Sequence, residues 1–119
     1  GLYTSPHLEH VNERIAIDGQ QLSDDDFVDT WDQVKDLVAI VDMKMDELGK
    51  PKMSFFEVLT AMAIWKFADA PVDVAIVEVG MGGRWDATNV LDADAAIIGP
   101  VDMDHMAWLG DTVEEIATE

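Results

Sequence analysis

The feature that most constrains this chain is an apolar run that stops on a carboxylate. Residues 72–79 read Val-Asp-Val-Ala-Ile-Val-Glu-Val, and Gly80, Gly82 and Gly83 come within the next four positions. A continuous run of this kind marks a strand covered on both faces, as in a parallel sheet. A carboxylate at Glu78 is then expensive to bury unless it is paired, hydrogen-bonded or metal-bound. The glycines beyond it permit positive φ and close approach to the backbone, at an entropic cost. A tight turn accounts for them; so does a ligand that must lie against the main chain.

The flanking segments say what surrounds that strand. Leu2 and Tyr3 read as the tail of another strand, broken by Thr-Ser-Pro-His, because Pro6 disfavours helix at Ser5. Ile15 and Ile17 alternate with Arg14 and Ala16, a short arm that turns at Asp18-Gly19. Ser23 is placed as an N-cap, with three aspartates in the first turn where the helix dipole favours them. Phe27, Trp31, Val34, Val38, Val41 and Met45 then form one apolar helical face running to about Leu48, with Gly49 and Pro51 as stops. Ser54 and Glu57 match the capping-box spacing, and the apolar segment behind them predicts a buried helix. Met43, Met45, Met62, Trp31 and Trp65 fall at helical spacing and are expected in the core. Asp94–Val101 reads as a second buried strand, and a last helix starts at Asp111 or Thr112.

Strands separated by helical or loop segments predict an α/β layered domain, a mostly parallel sheet flanked by helices. Ligands of such sheets sit beyond the carboxyl ends of the strands. Three polar segments reach those ends: residues 3–7, 77–83 and 97–105. The 119 residues suffice for one domain, here residues 1–119. A net charge of −18 argues against a phosphate-backbone partner, so no nucleic acid is expected. No apolar stretch is long enough to span a membrane. The lack of cysteine excludes disulfides and thiolate chemistry and fits a reducing cytoplasm. The chain opens on Gly-Leu-Tyr and stops inside an apparent helix, so it reads as a piece of a longer protein.

Three residues at predicted strand tips form a candidate metal set. Ser5 and Glu78 offer hard oxygens and His105 an imidazole, a set suited to Mg²⁺ that keeps waters and substrate phosphates. Asp102 and Asp104 are candidate hydrogen-bond acceptors behind such ligands. Each residue also has a plain explanation: a salt bridge from Glu78 to Arg84, a turn at Ser5, a satisfied surface histidine. Gly80-x-Gly82 invites a dinucleotide reading, but Trp85 stands where the fingerprint needs its third glycine. There is no Walker A loop. Trp85 and Trp108 lie in loops beside the polar edge and are candidates to meet a flat ring.

Four segments together carry a resemblance: Tyr3–Leu8 with Asn12–Ile15, Ser54–Ala68, Val72–Val90 and Asp102–Glu119. They closely resemble folylpolyglutamate synthases and bifunctional dihydrofolate synthases, members of the Mur ligase superfamily, from end to end. The Glu-Val-Gly-x-Gly-Gly-Arg-x-Asp-Ala-Thr-Asn and Asp-His-x-x-x-Leu-Gly-Asp-Thr strings are the specific ones. The resemblance implies part of the central ATPase domain, with the family's phosphate loop before residue 1 and its carbamylated lysine after Glu119. It implies an ATP-dependent ligase that adds L-glutamate to dihydropteroate or a reduced folate through an acyl phosphate. Ser5 and Glu78 match the family's magnesium ligands, and His105 the ligand of a second magnesium. Ser54, Phe55, Phe56, Glu57 and Trp85 match the pteridine pocket, Trp85 standing where leucine is common. Gly80, Gly82 and Gly83 would lie near the phosphates. The 119 residues alone are then expected to be inactive without the rest of the parent chain. A ligase acting on a cell-wall precursor or polyamide, a nucleotide-binding oxidoreductase domain and an inactive binding module are the alternatives.

Overall fold

A computed structural model describes all 119 residues. The chain divides into two compact units, Gly1–Glu78 and Val79–Glu119.

The first unit holds the sheet and the two long helices. Strands β1 (Leu2–Tyr3), β2 (Ile15–Ile17), β3 (Gln20–Gln21) and β4 (Ile76–Val77) assemble in the order β3-β2-β1-β4. Asp18 and Gly19 turn the β2–β3 hairpin with φ of 50° and 77°. Two successive positive φ values make the tight hairpin turn that an Asp-Gly pair favours. Helix α1 (Asp24–Glu47) starts where Ser23 caps it, its Oγ accepting the Asp26 amide at 3.1 Å. It ends before Gly49, whose φ is 65°. Helix α2 (Phe55–Asp69) carries the full capping box: Ser54 Oγ accepts the Glu57 amide at 3.2 Å, and Glu57 Oε2 accepts the Ser54 amide at 2.6 Å. Tyr3, Ile15, Leu22, Val34, Leu59, Met62, Ala63 and Phe67 close the core between helices and sheet. Of the other residues expected there, Met45 and Trp65 are half-buried, while Trp31 and Met43 are exposed. Met43 lies off the α1 stripe through Val34 and Val38 that faces the core, whereas Trp31 lies on that stripe, one turn nearer the helix start, and is still 38% exposed.

The α/β class holds, but the sheet is mixed rather than mostly parallel. Only β1 and β4 are parallel; β1–β2 and β2–β3 are antiparallel. For β2 and β3 the reason is the short Asp18-Gly19 turn, which can join only antiparallel neighbours. The run over residues 72–79 is also not covered on both faces. Only Ile76 and Val77 pair, β4 is the edge of this sheet, and Ile76 is 63% exposed. Glu78 is therefore an exposed carboxylate, not a buried one.

The second unit is built from turns. Its loop 79–86 leads into a 3₁₀ turn at Ala87–Val90, and two short helices, α3 (Met106–Leu109) and α4 (Val113–Ile116), come after it. Thr112 caps α4, accepting the Glu115 amide at 3.2 Å, as the sequence predicts. The strand expected over Asp94–Val101 does not form, and Ile97 is 97% exposed. A strand exists only through its ladder, and no other segment of this chain supplies one.

Candidate functional site

The parallel pairing sets the geometry of the first unit's polar edge. Leu2 and Tyr3 lie opposite Ile76 and Val77, so both chains leave the sheet at the same end. The ladder continues one step, with the Glu78 amide donating to the Tyr3 carbonyl at 2.9 Å. Beyond it, the Ser5 amide donates to Glu78 Oε2 at 2.8 Å. The Ser5–Pro6 peptide is cis. Ser5 and Glu78 thus stand side by side at the carboxyl ends of two parallel strands. A serine hydroxyl and a carboxylate are hard donors, and Glu78 faces solvent. That chemistry fits Mg²⁺, which takes few protein ligands and keeps several waters. No three acidic or histidine side chains of the chain converge into a closed metal cage.

The loop after β1 is tied down by its own neighbours. Glu13 Oε2 accepts the Leu8 amide at 2.8 Å, and Oε1 accepts those of Glu9 and His10 at 2.9 and 2.6 Å. The His10 amide, then those of Leu8 and Glu9, hold the Glu13 carboxyl far below its usual range, at about 2. Arg14 donates from Nε to His7 Nδ1 at 2.9 Å, and its guanidinium lies 5.4 Å from the Phe55 ring centre.

The start of α2 adjoins the same edge through Tyr3. The Tyr3 hydroxyl lies 3.1 Å from Thr60 Oγ1, and its ring is 5.8 Å from that of Phe56. Phe56 is half-buried against the core, whereas Phe55 is exposed with Arg14 over its ring. Ser54 and Glu57 hold each other across the helix start. The four residues that the sequence groups together therefore divide: Phe55 offers an exposed ring, Phe56 packs inward, and Ser54 and Glu57 secure the turn.

In the second unit, the glycine loop is organised by Asp86, a residue that the sequence analysis does not single out. Asp86 Oδ2 accepts the amides of Gly80 and Met81 at 3.1 and 3.0 Å. Its Oδ1 accepts the Thr88 amide at 3.0 Å and the Thr88 hydroxyl at 2.6 Å. Asn89 Nδ2 donates to the Arg84 carbonyl at 3.0 Å, and Arg84 Nη2 to the Thr118 carbonyl at 3.1 Å. The Arg-x-Asp-Ala-Thr-Asn string thus holds itself through bonds between Asp86 and Thr88 and between Asn89 and Arg84, reaches back to Gly80 and Met81 through Asp86, and reaches Thr118 through Arg84. A signal for it exists in the sequence: an aspartate two residues before a threonine is a familiar turn-capping pair. Arg84 takes its ion pair from Glu119, at 3.9 Å, and not from Glu78. Gly82 has φ of 64°, and a Cβ there would lie 2.9 Å from Leu109 Cδ2. A Cβ on Gly83 would lie 3.1 Å from the Glu119 carbonyl oxygen. Local structure alone therefore favours glycine at 82.

Trp85 is 87% exposed at the tip of this loop. His105 sits just before α3 with φ of 48°, a conformation few non-glycine residues adopt. Its amide donates to Asp104 Oδ1 at 2.7 Å, and its Nε2 lies 3.8 Å from Asp104 Oδ2. Asp102 accepts the Met103 amide at 2.7 Å. These three residues stand on an exposed loop rather than at a strand tip, because the preceding strand does not form.

No family model matches the chain. It is 53% identical over 122 residues to the dihydrofolate synthase/folylpolyglutamate synthase of Mycobacterium tuberculosis, a match that takes in 100% of the chain and 25% of that protein. It is 37% identical over 119 residues to the Escherichia coli protein of the same name, covering 100% of the chain and 26% of that protein. Among solved structures, the M. tuberculosis folylpolyglutamate synthase complexed with ADP and AMPPCP matches with a TM-score of 0.89 at 53% identity, over 98% of this chain and 26% of that one. E. coli FolC in complex with DHPP and ADP matches with a TM-score of 0.83 at 37% identity, over 98% and 26%. The chain spans about a quarter of the length of these relatives.

Proposed function

We propose that this chain, which belongs to the dihydrofolate synthase/folylpolyglutamate synthase family, supplies part of the catalytic centre of an ATP-dependent amide ligase in the cytoplasm. Its substrates are ATP, L-glutamate and a pterin-bearing carboxylate, either dihydropteroate or a reduced folate. The observation that carries the reading is the pairing of Ser5 and Glu78 at the carboxyl ends of β1 and β4. It supplies hard donors where an α/β sheet binds its ligands.

The reaction runs in two steps. An oxygen of the substrate carboxylate attacks the γ-phosphorus of ATP, the bond to the β-phosphate oxygen breaks, and ADP leaves an acyl phosphate. The amine of L-glutamate then attacks the acyl carbon, phosphate departs with the C–O bond electrons, and the amine loses a proton to give the amide. Phosphoryl transfer of this kind depends on positioning and on cancelling charge. Ser5 and Glu78 would hold Mg²⁺, and His105 a second one, with Asp102 and Asp104 as outer acceptors; bound there, the ion neutralises phosphate charge. In the first unit Phe55 offers an exposed ring on which a pterin would stack, with Ser54, Phe56 and Glu57 beside it at the start of α2; in the second unit Trp85 offers another exposed ring. Gly80, Gly82 and Gly83 keep the loop low enough for phosphates to approach.

Phosphate release by the full-length parent tests this. ATP hydrolysis should require Mg²⁺, L-glutamate and either dihydropteroate or a folate together. Turnover with a cell-wall precursor instead of a pterin substrate would replace the reading.

A further inference from the structure

We propose that Glu13 is a positioning residue for the Ser5 loop: by holding three consecutive backbone amides, its carboxylate keeps the Ser5 backbone against Glu78, where the Ser5 hydroxyl would join that carboxylate on Mg²⁺. The proposal rests on the ligase reading of the same site. Residues 4–10 form neither strand nor helix, and Leu8, at the tip, is 92% exposed. The Leu8 side chain does not anchor that tip, so its place depends on hydrogen bonds. These bonds converge on two adjacent residues. Glu13 takes the amides of Leu8, Glu9 and His10. Arg14 takes His7 through Nε, and its carbonyl accepts the Thr4 amide at 3.0 Å. Ser5 is therefore strung between a clamped start at Thr4 and a clamped return at residues 7–10. Its own tie runs to Glu78.

A carboxylate suits this role and an amide does not. Both oxygens of Glu13 are used as acceptors, and charge-assisted bonds are the stronger kind. Glutamine would keep one oxygen and turn an NH₂ donor toward an amide that itself donates. The loop would then lose at least one clamp without losing any apolar packing. Ser5 would sample positions away from Glu78, and a weakly held Mg²⁺ would feel this first.

The test compares wild type, Glu13→Gln and Glu13→Asp in the full-length enzyme. Glu13→Gln should raise the Mg²⁺ concentration for half-maximal turnover about tenfold, the factor that one charge-assisted hydrogen bond supplies. The KM for L-glutamate and the kcat at saturating Mg²⁺ should stay within about twofold, because neither depends on the clamp. Glu13→Asp, which keeps the charge on a shorter arm, should fall between. Hydrogen exchange at Leu8, Glu9 and His10 should accelerate in the same order. An unchanged Mg²⁺ requirement despite faster exchange would overturn the proposal. So would an equal loss of kcat at every Mg²⁺ concentration with a lowered Tm, the mark of a merely structural residue. If Glu13→Gln does not fold, Glu13→Asp decides by the same two readouts. Absence of glutamate-dependent ATP turnover in wild type would instead sink the ligase reading and the role of Ser5 with it, while the exchange pattern would still report on the clamp.

Discussion

The Ser5 amide donates to Glu78 Oε2 at 2.8 Å, joining residues 73 positions apart at the ends of two parallel strands. Neither residue is buried, so neither is held there by the core. Their adjacency comes from the register of β1 on β4, which places Tyr3 opposite Val77. Glu78→Ala should therefore leave the fold intact and remove most activity. In the full-length protein, turnover should fall by about a hundredfold or more, since a metal ligand contributes several kcal/mol to charge stabilisation. Tm should move little, because Glu78→Ala removes a polar head group and no apolar core packing. Wild-type kcat in this variant at saturating Mg²⁺ would end the metal assignment.

Asp86 gives a second expectation. Four hydrogen bonds reach its two oxygens from Gly80, Met81 and Thr88. Asp86→Ala leaves those amides to water and frees the glycine loop. Exchange at Gly80 and Met81 should accelerate sharply, while amides in the core of α2 keep their wild-type rates. Unchanged exchange at Gly80 would show that the loop is shaped by something other than this carboxylate.

Local chemistry is legible in the sequence, and pairing is not. Ser23, the Ser54–Glu57 box, the Asp18-Gly19 turn and the Thr112 cap all stand where their residue types place them, because each depends on neighbours within a few positions. The two apolar runs behave differently. Val72–Val79 contributes only Ile76 and Val77 to the sheet, and Asp94–Val101 contributes nothing. An apolar run reports that a segment can be covered, but the covering element must be hydrogen-bonded beside it. The same limit explains Glu78: the run implies burial, and the edge position of β4 removes it. Asp86 escapes notice for another reason. It lies downstream of the glycines and looks like their sequel, yet its carboxylate is the group that holds two of the loop's amides.

Gly82 separates backbone strain from crowding. Its φ of 64° is the left-handed region, and the nearest obstacle to a Cβ is the far end of the flexible Leu109 side chain, at 2.9 Å. Leu109 can give way; the backbone cannot. Gly82→Ala should cost about 1–2 kcal/mol of local stability from the dihedral alone, and Gly82→Val more, because a β-branched side chain tolerates that region least. Shortening Leu109 to alanine should not rescue Gly82→Ala. Rescue in a double-mutant cycle would place the cost in the contact instead.

Ser54 lies in a helix cap and in the segment proposed for the pterin pocket, and the two roles predict different outcomes. Loss of the cap in Ser54→Ala should cost about 1 kcal/mol, the usual penalty for removing an N-cap hydroxyl. If the cap is its whole role, Tm falls and the KM for the pterin substrate stays at its wild-type value. Ser54→Asp, which restores a capping acceptor, should recover Tm. A raised KM in Ser54→Asp with a recovered Tm would assign the hydroxyl to the ligand as well.

The last expectation concerns acid. The amides of His10, Leu8 and Glu9 favour the charged form of Glu13 and lower its carboxyl from 4.5 to about 2 in the folded chain. A depressed folded value means that the folded state binds the proton less readily than the unfolded state. The stabilisation is therefore fully present above 4.5, declines as the pH falls, and is gone below about 2. Asp26, lowered by the Ser23 hydroxyl and by Lys66, acts in the same direction, so wild type alone would not isolate Glu13. The difference between wild type and Glu13→Gln does, because Asp26 is common to both. The Tm gap between them should be constant above pH 4.5 and close progressively between pH 4.5 and 2. Thermal melts across that range check it, and a gap that persists unchanged at pH 2 would mean that Glu13 stabilises the loop by something other than its charge.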